Sequence, residues 1–196
     1  MSKVLLLSGK QGSGKTTIAK TITKLWFDRK GKMVVEVPFA QTLYEMHDFL
    51  LSLMDTYGFK RDIVKDGPLL QFLGTDWGRK NFGENVWIDI LKKKIANLET
   101  KYDWADLLVI VPDCRFKNEF DAFPNALRIR LECDRELRKK RCSAWRENEN
   151  HASEIDLDEY VKLRKFDDTY DTGDLTISFC SDRILRQIDE KWKHLL

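Results

Sequence analysis

The fold is decided by the stretch Gly9-Lys10-Gln11-Gly12-Ser13-Gly14-Lys15-Thr16, which is a complete G-x-x-x-x-G-K-T phosphate-binding loop. Its three glycines let consecutive backbone N–H groups turn inward toward a phosphate. In such a loop Lys15 reaches the β- and γ-phosphates, and the Thr16 hydroxyl ligates Mg²⁺. The sequence therefore predicts a site for a nucleoside triphosphate and its metal ion.

The segments on both sides of the loop fit this interpretation. Val4-Leu5-Leu6-Leu7 is a short apolar run, which is typical of a buried parallel strand. Residues 16–30 repeat apolar side chains at helical spacing, from Ile18 to Trp26. The loop is thus expected at the N-terminus of a helix, where the helix dipole and free N–H groups favour phosphate.

Strands and helices alternate along the rest of the chain. Strands are predicted at residues 33–37, 107–111, 126–131 and 175–179, and helices at residues 41–57, 69–79, 86–98, 118–123, 134–145, 157–165 and 182–196. Asp134 and Ser153 are the expected caps of two of these helices. The fold class is therefore α/β, with a parallel β-sheet core flanked by helices and a ligand site at the carboxyl ends of the strands.

Composition limits the class of protein. A length of 196 residues predicts one domain, and a net charge of +2 gives no reason to expect nucleic acid or an anionic membrane as a partner. No apolar run approaches the roughly 18 residues of a membrane span. The four cysteines lie far apart, so reduced thiols are expected rather than zinc or disulfides. With the first strand so near the start, no leader is expected, and the cytoplasm is the expected location.

An acid and a base close the apolar run at residues 107–111. Asp113 follows that run, where phosphate-loop enzymes hold Mg²⁺ beside the Thr of the loop, usually through water. Arg115 is placed to pair bidentately with a phosphate. The alternative is that Asp113 caps the next helix while Arg115 pairs with a surface acid.

Residues 69–87 mix polar and aromatic side chains in a way that suits a pocket for a base and a phosphate. The alternative is that Phe72 and Trp87 are core residues, while Asp76 and Arg79 pair on a helix surface at i, i+3. The spacing does not decide between the two. The polar members of the segment are Gln71, Thr75, Asp76 and Arg79, and its aromatic members include Phe72, Trp77 and Trp87.

The predicted helix at residues 134–145 begins a strongly basic segment. Its basic residues are Arg135, Arg138, Lys139, Lys140, Arg141 and Arg146. Arg135, Arg138 and Arg141 recur every three residues and are candidates to close over a transferred phosphoryl group and stabilise its charge. The alternative is a solvated basic helix.

Taken together, these patterns resemble the deoxynucleoside monophosphate kinases of bacteriophages, a branch of the nucleoside monophosphate kinase-like phosphate-loop superfamily. The loop alone identifies only the superfamily. Two more specific segments are Pro38-Phe39-Ala40 and Leu70-Gln71-Phe72-Leu73-Gly74-Thr75-Asp76, the second together with Arg79 and Trp87. A third, Asp113-Cys114-Arg115-Phe116-Lys117-Asn118-Glu119, is similar to the family's D-x-R-F-x-N-E signature. A fourth, His151-Ala152-Ser153-Glu154, is similar to its H-x-S-E segment.

The resemblance implies a single kinase domain over residues 1–196, with an acceptor-binding insertion at about 39–100 and a lid at about 134–160. It implies transfer of the ATP γ-phosphoryl group to a deoxynucleoside monophosphate, with ATP and Mg²⁺ as cofactors, in nucleotide metabolism for phage DNA synthesis. No covalent nucleophile is required, since positioning and charge neutralisation carry such reactions.

The resemblance also implies roles for individual residues. ATP binding falls to Gly9, Gln11, Gly12, Ser13, Gly14, Lys15, Thr16, Thr17 and Arg135, and Mg²⁺ binding to Thr16 and Asp113. The acceptor is assigned to Phe39, Ala40, Gln71, Thr75, Asp76, Arg79, Trp87 and Arg115. Catalysis is assigned to Lys15, Asp113, Arg115, Arg138 and Arg141.

One position departs from the family pattern. Similar proteins often carry a lysine shortly after the leucine that follows Phe39-Ala40, whereas Leu43 is followed here by Tyr44, which puts a phosphate contact there in doubt.

Other functions stay open. The acceptor could be a modified pyrimidine monophosphate or a phosphomevalonate-like compound. A phosphate-loop ATPase, GTPase switch or motor, or a nucleotide-binding scaffold, belongs to a different class, although the N-K-x-D motif of switch GTPases is missing. Neither a membrane nor a nucleic acid is an expected partner, a homodimer is left open, and the host cytoplasm is expected if the protein is phage-encoded.

Overall fold

A five-stranded sheet carries the fold, and all of its neighbouring strands pair in parallel. The computed structural model describes residues 2–59, 66–102, 107–143, 145 and 151–193. The sheet order is β2-β3-β1-β4-β5. Its strands are β1 (Lys3–Ser8), β2 (Val34–Glu36), β3 (Leu108–Cys114), β4 (Leu127–Glu132) and β5 (Asp168–Asp171).

Helices fill the connections between the strands. They are α1 (Lys15–Lys30), α2 (Gln41–Thr56), α3 (Gly67–Gln71), a π-helix (Phe72–Arg79), α4 (Lys80–Phe82), α5 (Val86–Lys101), α6 (Lys117–Asp121), α7 (Arg135–Arg141), α8 (Ala152–Ile155), α9 (Asp158–Lys162) and α10 (Ile177–Lys191). Across the described residues, no helix is long and apolar enough to cross a membrane.

The main core lies between one face of the sheet and the helices α1 and α10. Leu5 and Leu7 of β1 point into it, together with Ile22 of α1 and Ile184 of α10. Alternate strand residues point to opposite faces, and Leu6 on the other face is also buried. A strand buried on both faces explains the unbroken apolar run in the sequence. The predicted fold class, a parallel sheet flanked by helices with the phosphate loop after its first strand, is confirmed.

The last strand is the clearest error of sequence interpretation. A strand was expected at residues 175–179, but β5 lies at Asp168–Asp171, and α10 already begins at Ile177. β5 is an edge strand on which only Tyr170 is fully buried, so it lacks an apolar pattern. The side chain of Thr176 accepts a hydrogen bond from the Phe179 N–H at 3.2 Å and caps α10.

The segment after β4 also differs in detail from the expectation. Asp134 caps α7 as predicted, since its carboxylate accepts from two backbone N–H groups, but α7 ends at Arg141 rather than near residue 145. Ser153 is not a helix cap, because the ring of His151 caps α8, and α9 follows as a separate helix. Arg146 and the end of the predicted C-terminal helix, residues 194–196, lie outside the described residues.

The chain divides into two compact units. The first unit comprises residues 1–38 and 94–196 and contains the sheet and the phosphate loop. The second unit comprises residues 39–93 and starts where the acceptor-binding insertion is expected. In α2 of this unit, His47 is the one fully buried side chain, whereas Leu50 and Met54 of the predicted inner face are exposed. The predicted helix at residues 69–79 is divided between α3 and the π-helix.

Candidate functional site

The phosphate loop joins β1 to α1 and has room only for glycine at two positions. A Cβ atom on Gly9 would lie 2.4 Å from the carbonyl oxygen of Leu131 and 2.5 Å from Oγ of Ser13. A Cβ atom on Gly12 would lie 2.7 Å from the carbonyl oxygen of Arg138, and Gly12 has a φ of +79°. Since side chains rarely tolerate that φ value, the loop can pack between β4 and α7 only with glycine here.

Lys15 begins α1 and is almost fully buried beside the loop. Its Nζ donates to the carbonyl oxygen of Gly9 at 2.5 Å. Burial and then the positive charge of Arg115 lower the pKa of Lys15 to about 7, although the carboxylate of Glu154 acts in the opposite direction. A phosphate next to Lys15 would favour its charged form, as the predicted role requires.

The remaining loop positions are divided between buried and exposed environments. Ser13 is buried, and its carbonyl oxygen accepts from the hydroxyl of Thr172 at 3.1 Å. Gly14 is the N-cap residue of α1. Thr16 and Thr17 are exposed in the first turn of the same helix, so both hydroxyls are accessible to a ligand.

Asp113 lies inside β3 rather than after it, because the strand continues to Cys114. Cys114 pairs with Ser8, the last residue before the loop, which brings Asp113 to the carboxyl edge of the sheet beside the loop. Asp113 is half-buried, and its charge acts on Lys15. It does not cap the next helix, since the N-cap of α6 is Phe116, so that alternative is wrong.

A buried glutamate shapes the turn that carries Arg115. The carboxylate of Glu119 accepts from the backbone N–H of Arg115 at 2.8 Å and from that of Phe116 at 3.1 Å. Glu119 is only 4% exposed, so these two bonds hold the turn in a dry environment. This gives the D-x-R-F-x-N-E segment a physical meaning, because its last residue fixes the position of its arginine.

Glu154 makes a contact that the sequence analysis did not predict. Its Oε2 accepts from the backbone N–H of Gln11 in the phosphate loop at 2.9 Å, and its Oε1 forms an ion pair with Arg115. The Glu154 side chain is 3% exposed, and that of Arg115 is 32% exposed. Arg115 thus pairs with a buried acid, not with the surface acid of the alternative interpretation.

A second buried arginine was also missed. Arg130 of β4 donates to Oγ of Ser8 at 3.2 Å and lies 3.5 Å from a carboxylate oxygen of Asp158. Asp158 also pairs with Lys10 of the loop at 3.2 Å. The alternating pattern of β4 predicts an outward position for Arg130, and nothing local in the sequence marks it as part of the site. Like Asp113, Arg130 acts electrostatically on Lys15.

The three arginines of α7 are all held by neighbours in this structure. Arg138 is buried and donates to the carbonyl oxygen of Gln11 at 3.1 Å. Arg141 donates to the carbonyl oxygen of Thr172 at 3.0 Å. Arg135 pairs with its neighbour on α7 at 2.9 Å and lies over the Trp145 ring. Arg138 and Arg141 therefore hold the loop and its surroundings, and their proposed action on a phosphoryl group stays a prediction.

The donor set fits the two cofactors that the sequence predicts. The loop offers backbone N–H groups, and neither Gly9 nor Gly12 leaves space for a side chain above them. Thr16 and Asp113 supply oxygen atoms, which Mg²⁺ prefers, and Mg²⁺ in such sites needs only one or two protein ligands besides phosphate and water. Among the described residues there is no group of three His, Cys, Asp or Glu side chains for a metal, and all four cysteines are free thiols.

Within the second unit, Trp87 is a packing residue. Its side chain is buried, and its indole Nε1 donates to the carbonyl oxygen of Gly74 in the π-helix at 2.9 Å. A Cβ atom on Gly78 would lie 2.3 Å from the Trp87 ring, so the ring lies directly against the π-helix. These contacts favour the core interpretation for Trp87. Phe72, in contrast, is 51% exposed and is not a core residue.

The other acceptor candidates of this unit range from exposed to buried. Asp76 pairs with Lys80 at 2.5 Å, and Arg79 donates to the backbone carbonyl of Glu84 at 3.1 Å. The alternative interpretation, an i, i+3 pair between Asp76 and Arg79, is thus replaced by two different contacts. The structure leaves Gln71 and Thr75 exposed, Phe39 buried and Ala40 half-buried at the start of α2. The binding roles of this set stay predictions.

Comparison with known proteins finds likeness in folded structure only. No family model and no curated protein sequence matches the chain. Shikimate kinase from Acinetobacter baumannii in complex with shikimate is 14% identical, with 96% of this chain and 93% of that chain covered and a TM-score of 0.48. Shikimate kinase from Bacteroides thetaiotaomicron is 10% identical, with 95% and 98% covered and a TM-score of 0.47.

A third solved structure has no stated activity. This uncharacterised protein from Eubacterium ventriosum is 15% identical, with 96% of this chain and 99% of that chain covered and a TM-score of 0.41. One fold carries many activities, so the substrates of these proteins do not identify the substrate of this chain. The resemblance to phage deoxynucleoside monophosphate kinases therefore rests on sequence motifs alone.

Proposed function

We propose that the protein transfers the γ-phosphoryl group of ATP to the 5′-monophosphate of a deoxynucleoside. The bond from the γ-phosphorus to the β,γ-bridging oxygen breaks, and a bond to an oxygen of the acceptor phosphate forms, which gives a deoxynucleoside diphosphate and ADP. The observation that carries the proposal is the gathering of Lys15, Asp113 and Arg115 around a complete phosphate loop in the first unit.

Each residue has a task that its environment supports. Lys15 and the loop N–H groups bind the β- and γ-phosphates of ATP. Thr16 and Asp113 would hold Mg²⁺, which would neutralise negative charge on the phosphates when bound. Two arginines act on Lys15, and Arg130 is 6% exposed whereas Arg115 is 32% exposed, so we assign Arg115 to the acceptor phosphate.

The choice of acceptor depends on the second unit and on the motifs. The G-T-D and D-x-R-F-x-N-E segments support a deoxynucleotide. Gln71 and Asp76 are exposed and able to meet polar groups of a base or sugar, and Arg79 is the second candidate for the acceptor phosphate. A role in nucleotide supply for phage DNA synthesis, in the host cytoplasm, belongs to the same proposal.

The test is an assay of product formation with ATP and Mg²⁺ against ribo- and deoxynucleoside monophosphates, modified pyrimidine monophosphates and a no-acceptor control. ADP and the diphosphate product are both separated and quantified. We expect equal amounts of ADP and a deoxynucleoside diphosphate with at least one deoxynucleotide. ADP release at the same rate without acceptor would instead identify an ATPase, and product from none of these acceptors would contradict the proposed acceptor class.

A further inference from the structure

Glu154 places a carboxylate where the phosphate loop is built to receive an anion. Its two oxygens engage different groups, since Oε2 accepts from the Gln11 N–H at 2.9 Å and Oε1 pairs with Arg115. A loop N–H and an arginine are also the groups that bind phosphate oxygens in such a site. With only 3% of its side chain exposed, Glu154 meets these partners away from water.

The surrounding charges explain why an acid is stable there. Lys15 and Arg130 are both buried, and Arg115 lies close enough to act on Lys15. Buried cations without a counter-charge are costly, so a carboxylate at this position stabilises the site. Glu154 contributes a positive shift to the pKa of Lys15, which is the effect expected of a neighbouring negative charge.

We propose that Glu154 is an internal substitute for a phosphoryl group, that an incoming polyphosphate displaces its carboxylate from the Gln11 N–H, and that this displacement frees Arg115 for the acceptor phosphate. This inference deepens the proposed function, since it assigns a positioning role to a residue of the same site, but it requires only that the loop binds a polyphosphate. Arg115 is kept in place by Glu154 until a phosphate takes over the pairing.

The segment around Glu154 has its own attachments to the first unit. A carboxylate oxygen of Asp156 accepts from the Lys117 N–H at 2.7 Å, and Asp158 pairs with Lys10 at 3.2 Å. Glu159 forms an ion pair with the Lys117 side chain. These contacts do not include Glu154, so a variant that changes only Glu154 keeps the segment attached.

Removal of the Glu154 charge is therefore expected to strengthen polyphosphate binding. Glu154→Gln keeps the size of the side chain and one oxygen for the Gln11 N–H, but it pairs only weakly with Arg115. The dissociation constant of inorganic tripolyphosphate, measured by titration calorimetry with Mg²⁺, should fall about tenfold, the equivalent of about 1.4 kcal/mol. Glu190→Gln is the matched control, because it removes an equal charge from an exposed residue of α10 and leaves the contacts of the Glu154 segment intact, and its dissociation constant should stay at the wild-type value.

Two measurements distinguish a change in ligand binding by Glu154→Gln from a simple loss of stability. Thermal unfolding of Glu154→Gln without ligand is expected at a lower temperature than for the wild type, and the rise in unfolding temperature on adding tripolyphosphate should be larger for the variant. In turnover, KM for ATP should fall in Glu154→Gln without a matching loss of kcat. If the variant binds tripolyphosphate no better than the wild type, or if kcat falls while KM is unchanged, the proposal is wrong.

The outcome is separable from that of the proposed function. Tripolyphosphate binding needs no acceptor and no catalysis, so a wild-type protein that binds it but phosphorylates no nucleotide contradicts the kinase proposal alone. A protein that phosphorylates deoxynucleotides but binds tripolyphosphate equally well with Gln at position 154 contradicts the displacement proposal alone. Absence of tripolyphosphate binding in both wild type and Glu154→Gln also overturns the displacement proposal.

Discussion

In the unit formed by residues 1–38 and 94–196, several residues around the phosphate loop are buried and bonded to distant parts of the chain. Gln11 and Glu154, for example, meet although they lie 143 positions apart. In the unit formed by residues 39–93, Asp76 is 48% exposed on its side chain and pairs with Lys80 one helical turn away. The bonded residues around the phosphate loop form a cradle, which is held in place by contacts between distant parts of the chain. The second unit, in contrast, leaves its polar side chains accessible. Substitutions in the first unit should therefore affect both stability and nucleotide binding, and surface substitutions in the second only acceptor binding.

The largest effect is expected from Lys15→Ala. Loss of the ammonium group removes the charge that binds the β- and γ-phosphates, and kcat should fall by at least about 100-fold. The fold should be kept, because a lysine whose pKa is lowered by burial is not a stabilising charge. The measurements are diphosphate formation and thermal unfolding. Lys20→Ala, on an exposed position of α1, is the control and should retain wild-type turnover, whereas wild-type turnover in Lys15→Ala would refute the mechanism.

The next largest effect is expected from Gly12→Ala, which tests the packing of the loop against α7. The variant forces a side chain into a φ of +79° and to within 2.7 Å of a carbonyl oxygen. The backbone strain alone should lower the free energy of unfolding by about 1–2 kcal/mol, and displacement of the loop should weaken ATP binding as well. Chemical denaturation and the ATP dissociation constant measure the two effects.

Gly31→Ala separates the effect of backbone strain at a positive φ from the effect of a steric clash with α7. Gly31 also has a positive φ, +61°, but a Cβ atom there meets nothing within 4 Å, and it lies at the C-terminal end of α1. The free energy of unfolding of Gly31→Ala should fall by about as much as the backbone strain lowers it in Gly12→Ala, while ATP binding stays at the wild-type value. Equal loss of ATP binding in both variants would show that contact with α7 does not shape the loop.

A smaller effect is expected from Glu119→Gln, which tests how the cradle holds Arg115. Both backbone N–H groups, which lie near 3 Å, donate to the same oxygen, Oε2, and the neutral amide oxygen of glutamine is a weaker acceptor for both than a charged carboxylate. Because a hydrogen bond to a charged group contributes more than one between neutral groups, we expect the two weakened bonds to cost about 1–3 kcal/mol together. We expect a matching loss in the free energy of unfolding and a higher KM for the acceptor. Glu190→Gln on an exposed position of α10 is the control, and an unchanged acceptor KM in Glu119→Gln would remove Glu119 from this positioning role.

How much of the cradle could be predicted from sequence depends on how local each feature is. The phosphate loop, its flanking strand and helix, and the pair Asp113 and Arg115 lie in continuous segments whose motif and apolar pattern predict both structure and chemistry. Glu154 could not be placed in this way, since its partners come from the loop and from the end of β3. The only local signal is the H-x-S-E segment, in which the sequence predicts Ser153 as a helix cap.

Arg130 and β5 were missed for related reasons. Arg130 occupies a polar position of an alternating strand, a pattern that predicts exposure, but α9 supplies Asp158 next to it and the side chain is buried. β5 is polar because it is an edge strand, so its sequence lacks the apolar pattern of a buried strand. The apolar residues 175–179 match that pattern better, although they do not form a strand. Tertiary neighbours decided both cases, and one sequence without its structure does not identify them.

The smallest effects should come from the second unit, where a pair of variants distinguishes packing from acceptor binding. Trp87→Phe removes the indole N–H that bonds to Gly74 at 2.9 Å, and this should cost about 1 kcal/mol in the free energy of unfolding with no change in acceptor KM. Asp76→Asn should leave unfolding within about 0.5 kcal/mol of the wild type, as is usual for surface positions. Its acceptor KM should rise severalfold if Asp76 meets the base or sugar.

Asp55→Asn on an exposed position of α2 controls for the loss of one charge from the same unit and should change neither quantity. A higher acceptor KM for Trp87→Phe with an unchanged free energy of unfolding would show that Trp87 belongs to the base site that the family resemblance implies. Its burial against the π-helix would then not exclude a binding role. A normal KM for Asp76→Asn would mean that the pair Asp76 and Lys80 is only a surface contact. The second unit would then have to select its acceptor through its other exposed polar residues, Gln71 and Thr75, or through Arg79.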